Sequence, residues 1–193
     1  MILDLFYILL VALLMPMFLY KAVTAGKYAR GFRQRMGHIR RRYSLQPLIW
    51  LHAVSLGEVN AARALIKRLR KDFPDHELRI SATTRTGYNR ACELFGKEDV
   101  FYFPFDLSWV VNKVLRRLRP SLVILMELEV WYNFMIQADR FNIPVIVANG
   151  RMTESSKRAY RLIGVLTSRM FRRLTHVFAQ DQEIAERFRA VGV

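Results

Sequence analysis

The chain is short of cysteine, of acidic side chains and of the glycine signatures of common nucleotide sites. Cys92 is its one cysteine among 193 residues. A disulfide framework and a cysteine-based zinc cluster are therefore excluded. His38, His52, His76 and His176 show no metal-ligand spacing, so no metal is expected. No G-x-G-x-x-G run is present, which disfavours NAD or FAD, and no cofactor is expected. A Ser-His-Asp ordering and a nucleophile elbow are also missing. Acids number 16 against 31 lysines and arginines, for a formal charge of +15. Nucleic acid, anionic lipid head groups and phosphorylated substrates all fit such a charge. So do arginine-rich helix faces that are merely solvated. A nucleic-acid partner lacks an aromatic-basic recognition motif here and is not expected. Internal repeats and low-complexity linkers are absent.

What the chain does have begins at its start. Residues 5–20 read LFYILLVALLMPMFLY without a charge, and residues 21–43 carry eight Lys and Arg and no acid. A spanning helix needs about 20 apolar residues. Residues 5–23 just reach that, with Lys21 able to snorkel. Residues 1–23 are expected to be a membrane anchor and residues 24–45 a basic juxtamembrane segment facing anionic lipid. Lysine and arginine beside a membrane end stay inside, which predicts a cytoplasmic domain. Two alternatives stand beside this. Val23-Thr24-Ala25 loosely matches a signal-peptide cleavage site, although the first four residues lack a positive n-region. A helix lying in the interface would need a polar face, which the segment lacks.

Residues 46–193 suit one domain. Apolar runs at residues 47–52, 78–83, 100–103, 122–126, 144–148 and 176–179 read as strands. Helical spacing separates them at residues 58–71, 88–95, 107–118, 132–141, 155–174 and 181–189. Alternation of this kind predicts an α/β fold, a Rossmann-like parallel sheet with helices on both faces. Ligands of such open sheets sit beyond the carboxyl ends of the strands. The residues just after each strand are therefore the candidates.

After the first strand comes His52-Ala53-Val54-Ser55-Leu56-Gly57-Glu58. Gly57 permits a tight turn or a close backbone approach. Glu58 opens a helix, where the dipole favours a carboxylate on structural grounds alone. It is equally placed to act as a general base beside amides able to bind an anion. Glu127 and Glu129 end the most apolar strand and would share a face if the chain stays extended. Two carboxylates beside Trp131 are costly unless paired or hydrogen-bonded. Alternatively, one caps the next helix and the other is solvated. Asn149-Gly150-Arg151 follows the next strand. Arg151 either clamps a phosphate or carboxylate or pairs with Glu127 or Glu129. The loop from Thr83 to Gly87 is a weaker anion-loop candidate.

The order WLHAVSLGE–TTRTG–MELEVW–NGRM–VFAQD, behind an anchor and a basic block, resembles the 3-deoxy-D-manno-octulosonic acid (Kdo) transferases. The resemblance spans nearly the whole chain. Its specific part is the H-A-x-S-x-G-E turn joined to an E-x-E-x-W turn about 70 residues later. It implies the N-terminal half of a two-domain GT-B glycosyltransferase of the bacterial inner membrane, acting at the cytoplasmic face without a metal. The partners implied are the lipid A precursor as acceptor and CMP-Kdo as donor. By resemblance Glu58 matches the catalytic base, Ser55 and Gly57 share its turn, Glu127 and Glu129 match the acidic pair, and Asn149 and Arg151 match the N-x-R turn. The family usually has Trp-Pro-Asn where Trp131-Tyr132-Asn133 stands here, which changes how the next helix starts. The chain also ends at Val193, before the second domain that supplies most of the donor pocket. The expectation is an acceptor-side half that does not transfer sugar alone. The alternative is a non-catalytic, membrane-tethered module that binds anionic lipid.

Overall fold

The computed structural model describes residues 31–193. The expected anchor at residues 1–23 lies outside them. Among the described residues no helix is long and apolar enough to cross a membrane.

Six parallel strands form one sheet: β1 (Leu48–His52), β2 (Glu77–Ala82), β3 (Val100–Tyr102), β4 (Leu122–Met126), β5 (Val145–Gly150) and β6 (His176–Ala179). Their spatial order is β3-β2-β1-β4-β5-β6. That order reverses between β1 and β4, the doubly wound arrangement whose crevice at the reversal is the usual ligand site. The helices are α1 (Phe32–Arg35), α2 (Leu56–Asp72), α3 (Arg85–Phe95), α4 (Ser108–Leu118), α5 (Tyr132–Arg140), α6 (Glu154–Ile163), α7 (Val165–Phe171) and α8 (Gln182–Arg189).

Alternate side chains of each strand enter opposite layers, as period-two geometry requires. Ile49, Leu51, Ile80, Ile124 and Met126 pack with Val59, Ala62, Ile66 and Ala91 of α2 and α3. Leu48, Trp50, Val123, Leu125 and Val147 pack with the residues of α4, α5, α7 and α8. Trp50 is fully buried among Phe101, Phe103 and Phe134, with ring centroids 5.3 to 5.7 Å away. Its indole N–H would be expensive to bury unpaired. It donates to Ser81 Oγ at 2.8 Å.

The segment before β1, read as a juxtamembrane arm, packs on the domain where it is described. Ile39 and Arg42 are buried. Arg42 Nε donates to Glu77 Oε2 at 2.9 Å. Burial pushes the Glu77 carboxyl up, but bonds from Ser44 and Arg42 and the charges of Arg42 and Arg79 bring it below its ordinary range. Gly31 has φ +82, and a Cβ there would stand 2.1 Å from the Tyr102 ring. The Arg35 guanidinium covers the same ring at 4.6 Å, and Tyr88 stacks on it at 4.2 Å.

Two expected helices differ. The one expected at 88–95 begins at Arg85, with Thr84 as N-cap accepting from the Gly87 N–H. The basic helix expected at 155–174 is two helices, broken at Gly164 with φ +55. Thr167 Oγ1 donates to the carbonyls of Tyr160 and Gly164 at the break.

A carboxylate cluster at the strand reversal

Ser55 caps α2, and Glu58 is the third residue of that helix. Glu58 N–H donates to Ser55 Oγ at 3.3 Å, and Ser55 Oγ donates to Glu58 Oε1 at 3.0 Å. Glu58 Oε2 accepts from Val54 N–H at 2.9 Å. This is close to a capping box, in which Ser and Glu three apart satisfy orphan amides of a helix start. The carboxylate is held in one orientation, with 9% of the residue exposed.

The Thr83–Gly87 segment, expected as a loop, leads into α3 and supports that turn. Thr83 N–H, Thr84 N–H and Thr84 Oγ1 all donate to the Val54 carbonyl, at 3.2, 2.9 and 3.0 Å. A Cβ on Gly87 would come within 2.9 Å of Val54 O and 3.0 Å of Ser55 C. Gly87 is therefore required by close packing of α3 on the Glu58 turn. Gly57 is not: it is exposed, its φ is not positive, and the nearest neighbour of an added Cβ is Ser55 Oγ at 3.8 Å. The turn folds without needing glycine there, and Gly57 leaves open space above the helix start.

Glu127 and Glu129 come off β4 on the other side of the reversal. The chain is not extended there. Glu127 sits at φ +56, a left-handed conformation uncommon outside glycine and asparagine. The strand ladder holds it: Glu127 N–H donates to Ala148 O at 3.0 Å, and Glu127 O accepts from Arg151 N–H at 3.4 Å. Glu129 Oε2 accepts from Trp131 Nε1–H at 3.1 Å. The acidic pair is thus brought to the site by a twisted turn, rather than by strand alternation.

All three carboxyls feel one another. Burial raises Glu58 above the ordinary carboxylate range, and Glu127 raises it further, against the bonds from Val54 and Ser55. Burial also raises Glu129, with Glu58 and Glu127 adding to it and the Trp131 bond opposing. At the end of β1 His52 is fully buried and neutral, pushed down to about 3 by burial, and its Nδ1 lies 3.0 Å from Ser81 Oγ. Among the described residues no three His, Cys, Asp or Glu side chains gather as a metal site.

Asn149 adopts φ +55 where β5 shifts register against β6, and its Oδ1 accepts from Gln180 Nε2 at 3.0 Å. Bulges of this kind re-aim side chains near sites. Arg151 is exposed and forms no ion pair with Glu127 or Glu129. Of the two roles read for it, the pairing role is not present, and its link to Glu127 is through the backbone.

Asp106 had no place in the sequence reading. Its carboxylate accepts from Asn133 N–H at 3.0 Å and Phe134 N–H at 2.7 Å. It caps α5 from a neighbouring loop, which explains how that helix starts with Tyr132 in place of proline. A charged residue just before α4 was the signal available.

Past Glu129 a cleft of about 440 Å³ opens between Leu128, Trp131, Tyr160, Leu166 and Met170. Burial, and then Glu129, push the Tyr160 hydroxyl above its ordinary value.

The fold and this cluster define a Rossmann-like domain with acidic groups at the sheet reversal. Residues 30–193 match the family model described as 3-Deoxy-D-manno-octulosonic-acid transferase (kdotransferase). The chain belongs to that family. It is 31% identical to the 3-deoxy-D-manno-octulosonic acid transferase of Chlamydia muridarum (strain MoPn / Nigg), over 92% of this chain and 42% of that protein. It is also 31% identical to the enzyme of the same name from Haemophilus influenzae, over 89% of this chain and 40% of that protein. The chain thus spans about two fifths of the relatives it matches. Among solved structures the fold is similar to a UDP-N-acetylglucosamine 2-epimerase at TM-score 0.54 and 10% identity, over 74% of this chain and 44% of that one. It is similar as well to Acinetobacter baumannii MurG at TM-score 0.51 and 13% identity, over 72% and 42%.

Proposed function

We propose that this chain is the acceptor-side half of an enzyme that transfers Kdo from CMP-Kdo to the lipid A precursor, with Glu58 as the general base. The acceptor hydroxyl gives its proton to Glu58. The hydroxyl oxygen bonds to the anomeric carbon of Kdo as the bond to CMP breaks, with inversion. The observation that carries this reading is the Glu58 carboxylate itself. It is oriented by Ser55 and Val54 and lies between a buried strand end and two further acids. A raised proton affinity is what a base needs to accept a proton near neutral pH.

Burial keeps that affinity high and Glu127 adds to it, and Glu129 borders the apolar cleft. Arg151, exposed and without an ion-pair partner among the described residues, is suited to an acceptor phosphate. Gly57 leaves room for the acceptor to approach Glu58. The reading places the protein at the cytoplasmic face of a bacterial inner membrane, on the strength of the charge-free run at 5–20 and the basic block after it.

The test is Glu58→Gln in a two-domain transferase built on this half. Glutamine retains the size and can accept the Ser55 bond, but it cannot take the proton. Transfer should fall by at least ~10²-fold with the fold intact. Transfer near wild type would make Glu58 only a helix-capping carboxylate.

A further inference from the structure

One cation of the arm lies half-buried without an acid beside it. Arg35, the last residue of α1, packs against the carboxyl ends of β2 and β3. Its guanidinium carbon lies 4.6 Å from the centroid of the Tyr102 ring and 5.9 Å from that of Phe105. Among the described residues no carboxylate pairs with it, and burial pulls its pKa below the ordinary value, with Tyr102 opposing. A charge taken out of water without a counter-charge is costly, and the rings offset part of that cost.

The charge is not needed to seat the arm. Arg35 O accepts from Phe105 N–H at 2.9 Å, and Gln34 Oε1 accepts from Tyr102 N–H at 3.0 Å. An uncharged side chain of similar length at position 35 would keep both bonds and the ring contacts. What the guanidinium adds is a hydrogen bond from Nη2–H to the Thr83 carbonyl. That carbonyl and the Thr84 N–H belong to one planar peptide. Thr84 N–H donates to Val54 O at 2.9 Å, and Val54 N–H donates to Glu58 Oε2 at 2.9 Å. Hydrogen bonds in series polarise one another, so a cation on the carbonyl strengthens the N–H on the far side of the same peptide.

We infer that Arg35 is a positioning residue for the site: it fixes the Thr83–Thr84 peptide, which holds Val54, which aims the Glu58 carboxylate. The inference rests on the reading of Glu58 as the base. It explains why a half-buried position carries a charge that the local packing does not use. It also ties the arm before β1 to a carboxylate that the arm itself does not touch.

The experiment uses the full chain, with its glutamate carboxyls labelled for NMR, as wild type, Arg35→Met and Arg35→Lys. Methionine keeps the ring contacts and loses the charge and the donor; lysine retains both. In Arg35→Met, amide exchange at Val54 and Thr84 should quicken roughly tenfold, as expected for the loss of one bond to a charged group. Leu51 and Ile124, within the sheet, should change little. The Glu58 titration midpoint should rise by about 0.5, because the Val54 N–H favours the ionised form. Glu127 and Glu129, the acids that act on Glu58, are the same in all three chains. Arg35→Lys should restore most of both changes. Equal quickening at all four amides, loss of the fold in both variants, or lysine behaving as methionine would make Arg35 a packing residue and overturn the inference. An unmoved or lowered Glu58 midpoint overturns it too. These measurements read how the carboxylate is held, whether or not it takes a proton from an acceptor. Their failure would leave the Glu58→Gln transfer test standing, and failure of that test would leave these results as they are.

Discussion

After β1, the turn that bears Glu58 is tied down on every side: Ser55 caps it, Val54 and Thr84 bond across it, and Gly87 lies against it. After β5, the α6–α7 pair is held more loosely, with Thr153 capping its start. No residue of its first helix is fully buried, the break at Gly164 is held through Thr167, and Leu162, Ile163 and Val165 face outward while Met170 and Phe171 enter the core. The first lies at the reversal of the sheet, and the second borders the cleft that Glu129 also lines. One holds a charged atom in a fixed place, where a misplacement of about 1 Å is costly to chemistry. The other carries exposed apolar side chains that no such requirement fixes.

The contrast would break first at Gly87. Gly87→Ala places a Cβ against the Val54 carbonyl, and it should destabilise the domain by roughly 1–3 kcal/mol. Urea denaturation checks this; a loss near zero would mean the turn is looser than described. Gly57→Ala sharpens the point from the opposite direction. Nothing in the fold needs glycine there, so stability should hold or rise by up to about 1 kcal/mol. Transfer by a two-domain enzyme carrying the same change should drop, because the added methyl fills the space over the helix start.

Glu129→Gln tests the repulsion. Glu58 and Glu129 both keep their protons to higher pH in the folded chain than in the unfolded one. Folded binding of protons therefore exceeds unfolded binding between the ordinary carboxylate range and the raised folded values, and stability falls as pH rises through that window. The replacement should recover about 1 kcal/mol or less at neutral pH. It should also flatten the slope of stability against pH in mild acid; an unchanged slope would show the acids to be independent. The smallest effect is expected beside the α6–α7 break. Leu162→Ser should alter stability by no more than about 0.5 kcal/mol, and a larger loss by thermal melting would show that Leu162 is packed after all.

The strands were legible because apolar runs alternate with helical spacing, and a parallel sheet follows from that; their spatial order, and with it the reversal, was not. Glu58 was legible near a helix start, but the helix begins at Leu56 with Ser55 as its cap; the Ser-x-x-Glu spacing carried that signal. What was not legible depends on contacts distant in sequence. Thr84-Arg85-Thr86-Gly87 reads as a loop because its threonines and glycine are weak helix formers. It is helical because Gly87 packs on a turn some 30 residues earlier in the chain. Gly164 lies in an otherwise helical pattern, and an isolated glycine there is usually tolerated. The break became evident only from its dihedral angles. Asp106 escaped notice because it acts on a helix 27 residues away.

Glu127 stands at a left-handed angle with its carboxylate among like charges. A sequence designed on this backbone for stability alone would put glycine or asparagine at that position, since an L side chain there costs roughly 1–2 kcal/mol. It would also remove a neighbouring acid. The difference between that optimised sequence and the natural one is a map drawn without any assay, and it singles out the positions that folding by itself does not account for.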